Sequence, residues 1–136
     1  MNILFFIILK DKIDFVYNEF TLRQTLEKMD YSGYTSLPIL NDKGEYIATI
    51  TEGDILRYIK SSNQFSLRKA EKIPLADVPI KKNVKSIKIY SNIEDLIELV
   101  LEQNFVPVVD DMNHFIGIIT RKAVISHLAE TVKKGA

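Results

Sequence analysis

The sequence predicts an α/β (α+β) protein built from two copies of one strand–helix–strand–strand–helix unit. Leu37-Pro38-Ile39 returns as Val106-Pro107-Val108, and in both copies a turn and a further apolar strand follow. Both copies then reach a threonine at a strand–helix junction, Thr51 or Thr120, and the two prolines and the two threonines are each 69 residues apart. This spacing indicates internal duplication. Because each copy of about 50 residues is too small to bury its own sheet, we expect the copies to pack sheet to sheet about a pseudo-two-fold axis.

Local signals place the elements of the first repeat. Alternating polarity predicts a strand at residues 13–17, and Thr21 and Gln24 form a capping box for a helix that Ser32 and Gly33 end. The remaining elements are a strand at 34–40, a turn at 41–44, a strand at 45–50, and a helix from Thr51 to about Lys60 that residues 61–64 end. Pro38 indicates that its strand is an edge strand or that it stands near a strand start.

The second repeat follows the same order. The predicted elements are a strand at 84–89, a helix capped near residues 91–92, a strand at 104–109, a turn at 110–113, a strand from His114, and a helix from about Arg121 into Lys133. Apolar residues at Ile93, Leu96, Ile97, Val100 and Leu101 form the strongest helical stripe of the chain. We therefore divide the chain into residues 1–62 (N-terminal strand and first repeat), 63–82 (a connector with short helical patterns) and 83–136 (second repeat).

The apolar run Ile3–Leu9 opens the chain. It is far shorter than the roughly 20 residues of a membrane-spanning helix, and it lacks the basic flank and cleavage site of a signal peptide. We interpret it as a buried strand, with an interfacial membrane anchor as the alternative.

Composition argues against several functions. The chain has 18 basic and 18 acidic residues, so it lacks the positive field of a nucleic-acid-binding protein. It has no cysteine, which excludes disulfides, thiol catalysis and cysteine–zinc sites and fits a cytoplasmic protein. His114 and His127 have no partner at metal-ligand spacing, and the sequence contains no nucleophile motif or glycine-rich phosphate loop. We expect no metal site, no catalytic residues and no enzymatic activity.

The ordered motifs, present twice, resemble a tandem pair of CBS domains, a Bateman module, over roughly residues 9–59 and 80–130. Besides the two proline motifs, the resemblance depends on Thr51-x-x-Asp54 and on its altered copy Thr120-x-x-Ala123. The chain is similar to small standalone bacterial CBS proteins, and residues 33–35 and 117–121 are similar to members that bind adenine nucleotides or cyclic di-AMP.

The resemblance implies adenine-nucleotide binding in clefts between the two repeats. At the first site it implies ribose contacts by Asp54, phosphate contacts near Thr51 and Thr35, and a base pocket lined by Thr49. The residues that it places around the base from the second repeat are Ile80, Lys85, Gln103 and Asn104. At a weaker second site it implies Thr120 and Arg121, with Asp14, Gly33 and Tyr34 opposite. That site lacks the ribose carboxylate because position 123 is alanine.

The chemistry of the first site fits this assignment. A carboxylate accepts from two vicinal hydroxyls at once, and the N–H groups at a helix start attract phosphate. Alternatively, Thr51 and Asp54 form only a helix cap. Ala48 stands where the family usually has glycine, and Glu52 adds a negative charge that favours AMP or ADP over ATP. Tyr31 and Tyr34 are interpreted as half-buried packing residues, with base stacking by Tyr34 as the alternative.

We therefore expect a regulatory sensor that binds an adenine nucleotide as ligand, requires no cofactor and has no catalytic activity of its own. The resemblance implies a homodimer and a regulated protein that the sequence does not name, without nucleic-acid or membrane partners. Two alternatives stay open: a cyclic di-AMP receptor of the same fold, and a protein–protein interaction module with vestigial nucleotide sites.

Overall fold

The computed structural model describes residues 1–62 and 65–135, which form two β-sheets and five α-helices. The predicted fold class is confirmed. In chain order the elements are β1 (Ile8–Leu9), β2 (Val16–Tyr17), α1 (Leu22–Ser32), β3 (Ser36–Leu40), β4 (Tyr46–Thr51), α2 (Glu52–Ser61), α3 (Leu67–Ala70), β5 (Ile87–Lys88), α4 (Ile93–Glu102), β6 (Phe105–Val109), β7 (Phe115–Thr120) and α5 (Arg121–Gly135). Short 3-10 helices lie at Ile3–Phe6, Lys10–Lys12 and Leu75–Asp77. The predicted helix end at 61–64 extends onto Asn63 and Gln64, which lie outside the described residues, as does Ala136.

The chain divides into two packing units. The repeat-1 unit is Asp14–Asn83, and the repeat-2 unit is Met1–Ile13 together with the chain from Val84 onward. Compared with the predicted division, residues 1–13 pack with the second repeat and the connector packs with the first. The connector is held by backbone hydrogen bonds from Leu22 N–H to the Ile73 carbonyl and from Leu75 N–H to the Phe20 carbonyl. The pseudo-two-fold arrangement of the units stays a prediction.

The repeat-1 unit has a three-stranded sheet in the order β2–β3–β4, with β2 parallel and β4 antiparallel to β3. The predicted capping box of Thr21 and Gln24 begins α1, and Gly33 ends it in the left-handed conformation at φ 74°. The core combines side chains of the sheet, of α1 and α2 and of the connector: Val16, Leu22, Met29, Leu37, Ile39, Ile50, Ile55, Ala70, Leu75 and Val78.

The repeat-2 unit has a four-stranded sheet in the order β1–β7–β6–β5. Strands β5, β6 and β7 repeat the register of β2, β3 and β4. In the parallel pairs, Val16 lies opposite Ile39 and Ile87 opposite Val108. In the antiparallel pairs, Ser36 lies opposite Thr51 and Phe105 opposite Thr120. Both sheets carry an irregularity at the end of the proline strand, at 39/40 and at 108/109. The internal duplication is therefore visible at the level of individual strand pairs.

Three sequence predictions need correction. The strands predicted at 13–17 and 84–89 pair over two residues each, Val16–Tyr17 and Ile87–Lys88. Residues before them are bonded elsewhere: the Ile13 N–H donates to the Lys10 carbonyl, and the Lys85 N–H and carbonyl are both bonded to the Gln103 side chain. Pro38 lies in the central strand β3, not in an edge strand. It is tolerated because the short β2 pairs only with the two residues that follow it, so Pro38 has a strand neighbour on one side.

The N-terminal run is the third correction, since it is not one buried strand. Ile3 and Phe6 are buried from a 3-10 helix, whereas Ile8 and Leu9 in β1 are exposed. β1 adds to the edge of β7, where Ile8 pairs with Ile118 and Leu9 with Gly117. Among the described residues, the helices are too short or too polar to cross a bilayer.

Gly117 allows this strand addition. A Cβ at Gly117 would lie 2.2 Å from the carbonyl oxygen of Ile8. The corresponding residue of the first repeat is Ala48, and there the sheet has no added strand beyond β4 among the described residues. The glycine is therefore required by the close approach of β1.

We predict that Gly117→Ala displaces β1 and lowers the free energy of unfolding by about 1–3 kcal/mol, as overpacking does elsewhere. Denaturant unfolding measures the loss, and hydrogen exchange should show faster exchange at residues 7–10. Gly135→Ala is the control, because a Cβ there meets no atom within 4 Å. Unchanged exchange at residues 7–10 in Gly117→Ala would contradict the role of this glycine.

Candidate functional site

The junction of β4 and α2 is built on a reciprocal cap. Thr51 ends β4 and is the N-cap of α2. Its hydroxyl accepts from the Asp54 N–H at 3.1 Å, and Asp54 Oδ2 accepts from the Thr51 N–H at 3.0 Å. Thr51-x-x-Asp54 is thus a capping box, and the carboxylate lies at the positive end of the helix.

Asp54 has more partners than a cap requires. Its Oδ1 accepts from Arg57 Nη2 at 2.5 Å and from the Lys81 N–H at 3.2 Å. The side chain is only 2% exposed, whereas that of Arg57 is 50% exposed. All of these groups belong to the repeat-1 unit. The carboxylate therefore joins β4, the first turns of α2 and the connector after Pro79.

These contacts decide the charge of Asp54. Burial alone would raise the pKa of the carboxyl group, but the hydrogen bonds from Lys81, Thr51 and Arg57 outweigh it and hold the pKa below the ordinary value of 3.8. Asp54 is thus a buried carboxylate that is ionised at neutral pH. An acceptor of this kind binds hydroxyl and N–H donors more strongly than a neutral one.

Thr35 and Glu52 complete the same edge of the unit. The Glu52 N–H donates to the Thr35 carbonyl at 2.9 Å, which places Thr35 beside the first residue of α2. Glu52 and Gly53 are exposed, and together with Gly33 they line an open groove of about 620 Å³ between α1 and α2. Thr51, Asp54 and Thr35 thus lie at one edge of the unit, and their binding role stays a prediction.

Thr49 and Ile80 lie differently from the sequence-based assignment. Thr49 is 1% exposed, and its hydroxyl is bonded to the Tyr46 hydroxyl at 2.8 Å. Burial raises the pKa of Tyr46 to about 12, although the bond to Thr49 lowers it. Ile80, which the resemblance assigns to the second repeat, packs instead against the core of the repeat-1 unit. The base contact of Ile80 stays a prediction.

Gln103 organises the group predicted around the base. It is buried, and its Oε1 accepts from the Lys85 N–H at 2.8 Å, while its Nε2 donates to the carbonyls of Lys85 and Phe105 at 3.0 and 3.1 Å. Asn104 is exposed, and its carbonyl accepts from the Arg121 N–H at 2.8 Å. Gln103 thus fixes the backbone of Lys85, and the base contacts of these residues stay predictions.

The second junction lacks the carboxylate of the first. The Thr120 hydroxyl accepts from the Ala123 N–H at 3.1 Å, so the threonine half of the cap remains. Arg121 Nε donates to the Val100 carbonyl at 2.6 Å, which ties the guanidinium to the last turns of α4. An uncharged methyl group replaces the buried anion at this junction.

The residues predicted opposite the second junction all belong to the repeat-1 unit. Asp14 Oδ1 lies 3.4 Å from Lys28 Nζ, Gly33 ends α1, and Tyr34 follows it with 47% of its side chain exposed. Tyr31 is 89% exposed, so its interpretation as a half-buried packing residue is wrong. It points away from the core because the buried stripe of α1 is Leu22, Thr25 and Met29.

The two histidines take part in ordinary packing. His114 Nδ1 lies 3.1 Å from Asp110 Oδ2, and the His127 ring makes edge contacts with Phe5 and Phe6. Within residues 1–62 and 65–135, no group of three or more His, Asp or Glu side chains is placed to hold a metal ion.

Sequence reasoning missed two partners of Asp54. Arg57 stands three residues after it on α2, and this spacing predicts contact between opposite charges on a helix. The Lys81 N–H had no such signal, because a main-chain contact across 27 residues leaves no side-chain pattern.

Comparison with known proteins identifies the family. The model of the CBS domain matches residues 8–61 and 75–130. The chain belongs to the CBS-domain family. The two matches confirm the tandem pair, a type of module that is generally regulatory.

Relatives of known structure share the fold over nearly the whole chain. CbpB of Listeria monocytogenes in complex with c-di-AMP is 25% identical with a TM-score of 0.81, covering 93% of this chain and 94% of that one. Another CbpB in complex with c-di-AMP, at 19% identity and a TM-score of 0.85, supports the fold alone.

An archaeal relative is longer. Protein MJ1225 of Methanocaldococcus jannaschii is 30% identical in an alignment of 132 residues, and the match covers 89% of this chain and 47% of the relative. Its crystal structure has a TM-score of 0.81 and 26% identity, and covers 96% of this chain and 51% of that one. The chain thus spans about half the length of this curated relative.

We predict that Asp54→Asn lowers the free energy of unfolding by about 1–3 kcal/mol at pH 7, because charge-assisted hydrogen bonds become neutral ones. Since the folded-state pKa is lowered, the carboxylate stabilises fully above pH 3.8 and less as the pH falls through the folded value. Urea unfolding of the wild type and of Asp54→Asn between pH 7 and pH 2 should show that the difference between their free energies of unfolding becomes smaller in acid. Asp42→Asn, at an exposed turn, is the control. If the difference in free energy of unfolding between the two proteins did not change with pH, Asp54 would not be ionised in the folded wild type.

Proposed function

We propose that this CBS-domain protein is a regulatory module that binds an adenine nucleotide at the β4–α2 junction and has no catalytic activity of its own. The observation that carries the proposal is the buried, ionised carboxylate of Asp54 beside the N-terminus of α2. Ribose offers two vicinal hydroxyl donors to such an acceptor, and the helix start offers N–H groups to a phosphate.

The charges of the junction favour AMP or ADP over ATP. Glu52 is exposed at the first position of α2, one residue after Thr51. Like charges close together repel, so each additional phosphate group placed near this turn binds less favourably. Arg57, half exposed on the next turn, offsets part of this negative charge.

Relatives support a nucleotide ligand and suggest the second candidate. CbpB of Listeria monocytogenes has been crystallised in complex with c-di-AMP, and MJ1225 is described as a proposed archaeal homolog of g-AMPK. Cyclic di-AMP shares the adenine group with AMP, but its ribose 3′-oxygens are esterified. A site that requires both ribose hydroxyls at Asp54 therefore discriminates against it.

Regulation by the module would follow from population shift. A ligand that binds one conformation more tightly raises the population of that conformation and of any partner-binding surface it carries. We propose that the module acts in the cytoplasm as a homodimer and controls a separate protein. If both junctions were vestigial, it would instead be an interaction module that responds to no nucleotide.

We predict that one of AMP, ADP, ATP, cyclic di-AMP and S-adenosylmethionine raises the melting temperature of the wild-type protein. At about one hundred times its dissociation constant a ligand stabilises by ~2.7 kcal/mol, or on the order of 5–10 °C for a domain of this size. The shift should shrink strongly in Asp54→Asn and persist in Asp42→Asn.

The readout is the shift caused by ligand, not the melting temperature itself, because Asp54→Asn lowers stability without ligand. An equal shift in Asp54→Asn and the wild type would move the binding site away from Asp54. No shift with any of the five compounds would favour the interaction module.

A further inference from the structure

Arg57 differs from the other partners of Asp54. The N–H groups of Thr51 and Lys81 are main-chain donors whose positions are set by the strand, the helix and the connector. Arg57 reaches Asp54 Oδ1 with a long side chain that is half exposed. Because the guanidinium is half exposed, it can exchange Asp54 for water or for another anion without moving the backbone. Arg57 is therefore the contact that a ligand can replace at the lowest cost.

The guanidinium also lies where an anionic group of a ligand would come. Arg57 Nη1 is 3.4 Å from the position that a Cβ would take on Gly53, the second residue of α2. It therefore lies over the first turn of the helix, beside Gly53. A guanidinium has five donors in a planar fork that fits a phosphate.

Access to Asp54 requires such an exchange. The carboxylate is 2% exposed and already accepts from Arg57 and from two main-chain N–H groups. A carboxylate has about four acceptor positions, so two ribose hydroxyls can bind at Asp54 only if a present partner leaves. The Thr51 N–H is fixed at the end of β4, and the Lys81 N–H follows Ile80, which packs against the core. Neither can leave Asp54 unless the backbone moves, so the Arg57 side chain is the partner that leaves.

We propose that Arg57 is a specificity residue that exchanges partners when a nucleotide binds. Without ligand it occupies Asp54 Oδ1; with ligand the ribose hydroxyls take its place, and the guanidinium contacts the 5′-phosphate. This inference rests on the proposed function. A nucleoside that displaces Arg57 gives it no new partner, whereas a nucleotide does. Arg57 thus selects phosphorylated adenosine over adenosine.

The test measures binding of adenosine and of AMP by titration calorimetry. The proteins are the wild type, Arg57→Gln, Arg57→Lys and the control Arg23→Gln. Arg23 is a partly exposed arginine on α1 that pairs with Glu27 and Glu71, so its substitution removes the same charge from the same unit. Urea unfolding of each variant verifies that it is folded before binding is compared.

Arg57→Gln should bind adenosine about two- to fivefold more tightly, because the guanidinium no longer competes with the ribose hydroxyls for Asp54 and the lost ion pair has a half-exposed partner. It should bind AMP more weakly, because the charge-assisted hydrogen bond from Arg57 to the phosphate is lost. The preference for AMP over adenosine should therefore fall about tenfold or more. Arg57→Lys keeps the charge and should recover part of the preference. Arg23→Gln should change neither value.

Two outcomes would overturn the role of Arg57 while leaving the proposed function in place. Equal weakening of adenosine and AMP in Arg57→Gln would mean that Arg57 only holds Asp54 in position. An unchanged preference in a variant that still binds AMP would mean that Arg57 does not contact the phosphate. A wild-type protein that binds neither compound, nor any nucleotide in the thermal assay, would overturn the proposed function as well.

Discussion

The β4–α2 junction depends on one interaction, the hydrogen bonding of the buried Asp54 carboxylate. Its bond to Thr51 N–H fixes the start of α2, and its bond to Lys81 N–H fixes the end of the connector. A buried carboxylate is tolerated only when such donors surround it, because an unpaired one would lose its hydration without replacement. The position of Lys81 at the end of the connector and the charge of the site therefore depend on the same carboxylate.

Capping and ligand binding use the same atoms in this protein. A carboxylate that caps a helix is held at the positive end of that helix, where a phosphate would also be attracted. The two interpretations of Thr51-x-x-Asp54 are thus compatible, and binding becomes an exchange of hydrogen-bond partners rather than the filling of an empty pocket. At the second junction Ala123 has no carboxylate and Arg121 bonds to the end of α4. The duplicated fold therefore carries two junctions of different chemistry.

Local patterns in the sequence predicted what local interactions determine. The capping box at Thr21, the helix end at Gly33 and the turn that follows each proline strand depend on residues a few positions apart. The unit to which Ile80 belongs could not be predicted in this way, because it depends on contacts of the connector with α1 and its preceding loop. The prediction for the N-terminal run was wrong for a related reason. The conformation of that run depends on the edge of β7, more than 100 residues away, which Gly117 leaves accessible.

The central claim is that Asp54 accepts hydrogen bonds from the ribose hydroxyls, and a cycle of ligand and protein changes tests it most directly. Calorimetry would compare AMP with 2′,3′-dideoxy-AMP on the wild type and on Asp54→Asn. The account predicts that loss of both hydroxyls weakens binding to the wild type by about tenfold or more, as for bonds to a charged group, and weakens binding to Asp54→Asn far less. The same loss in both proteins would show that the hydroxyls bind elsewhere and would contradict the account.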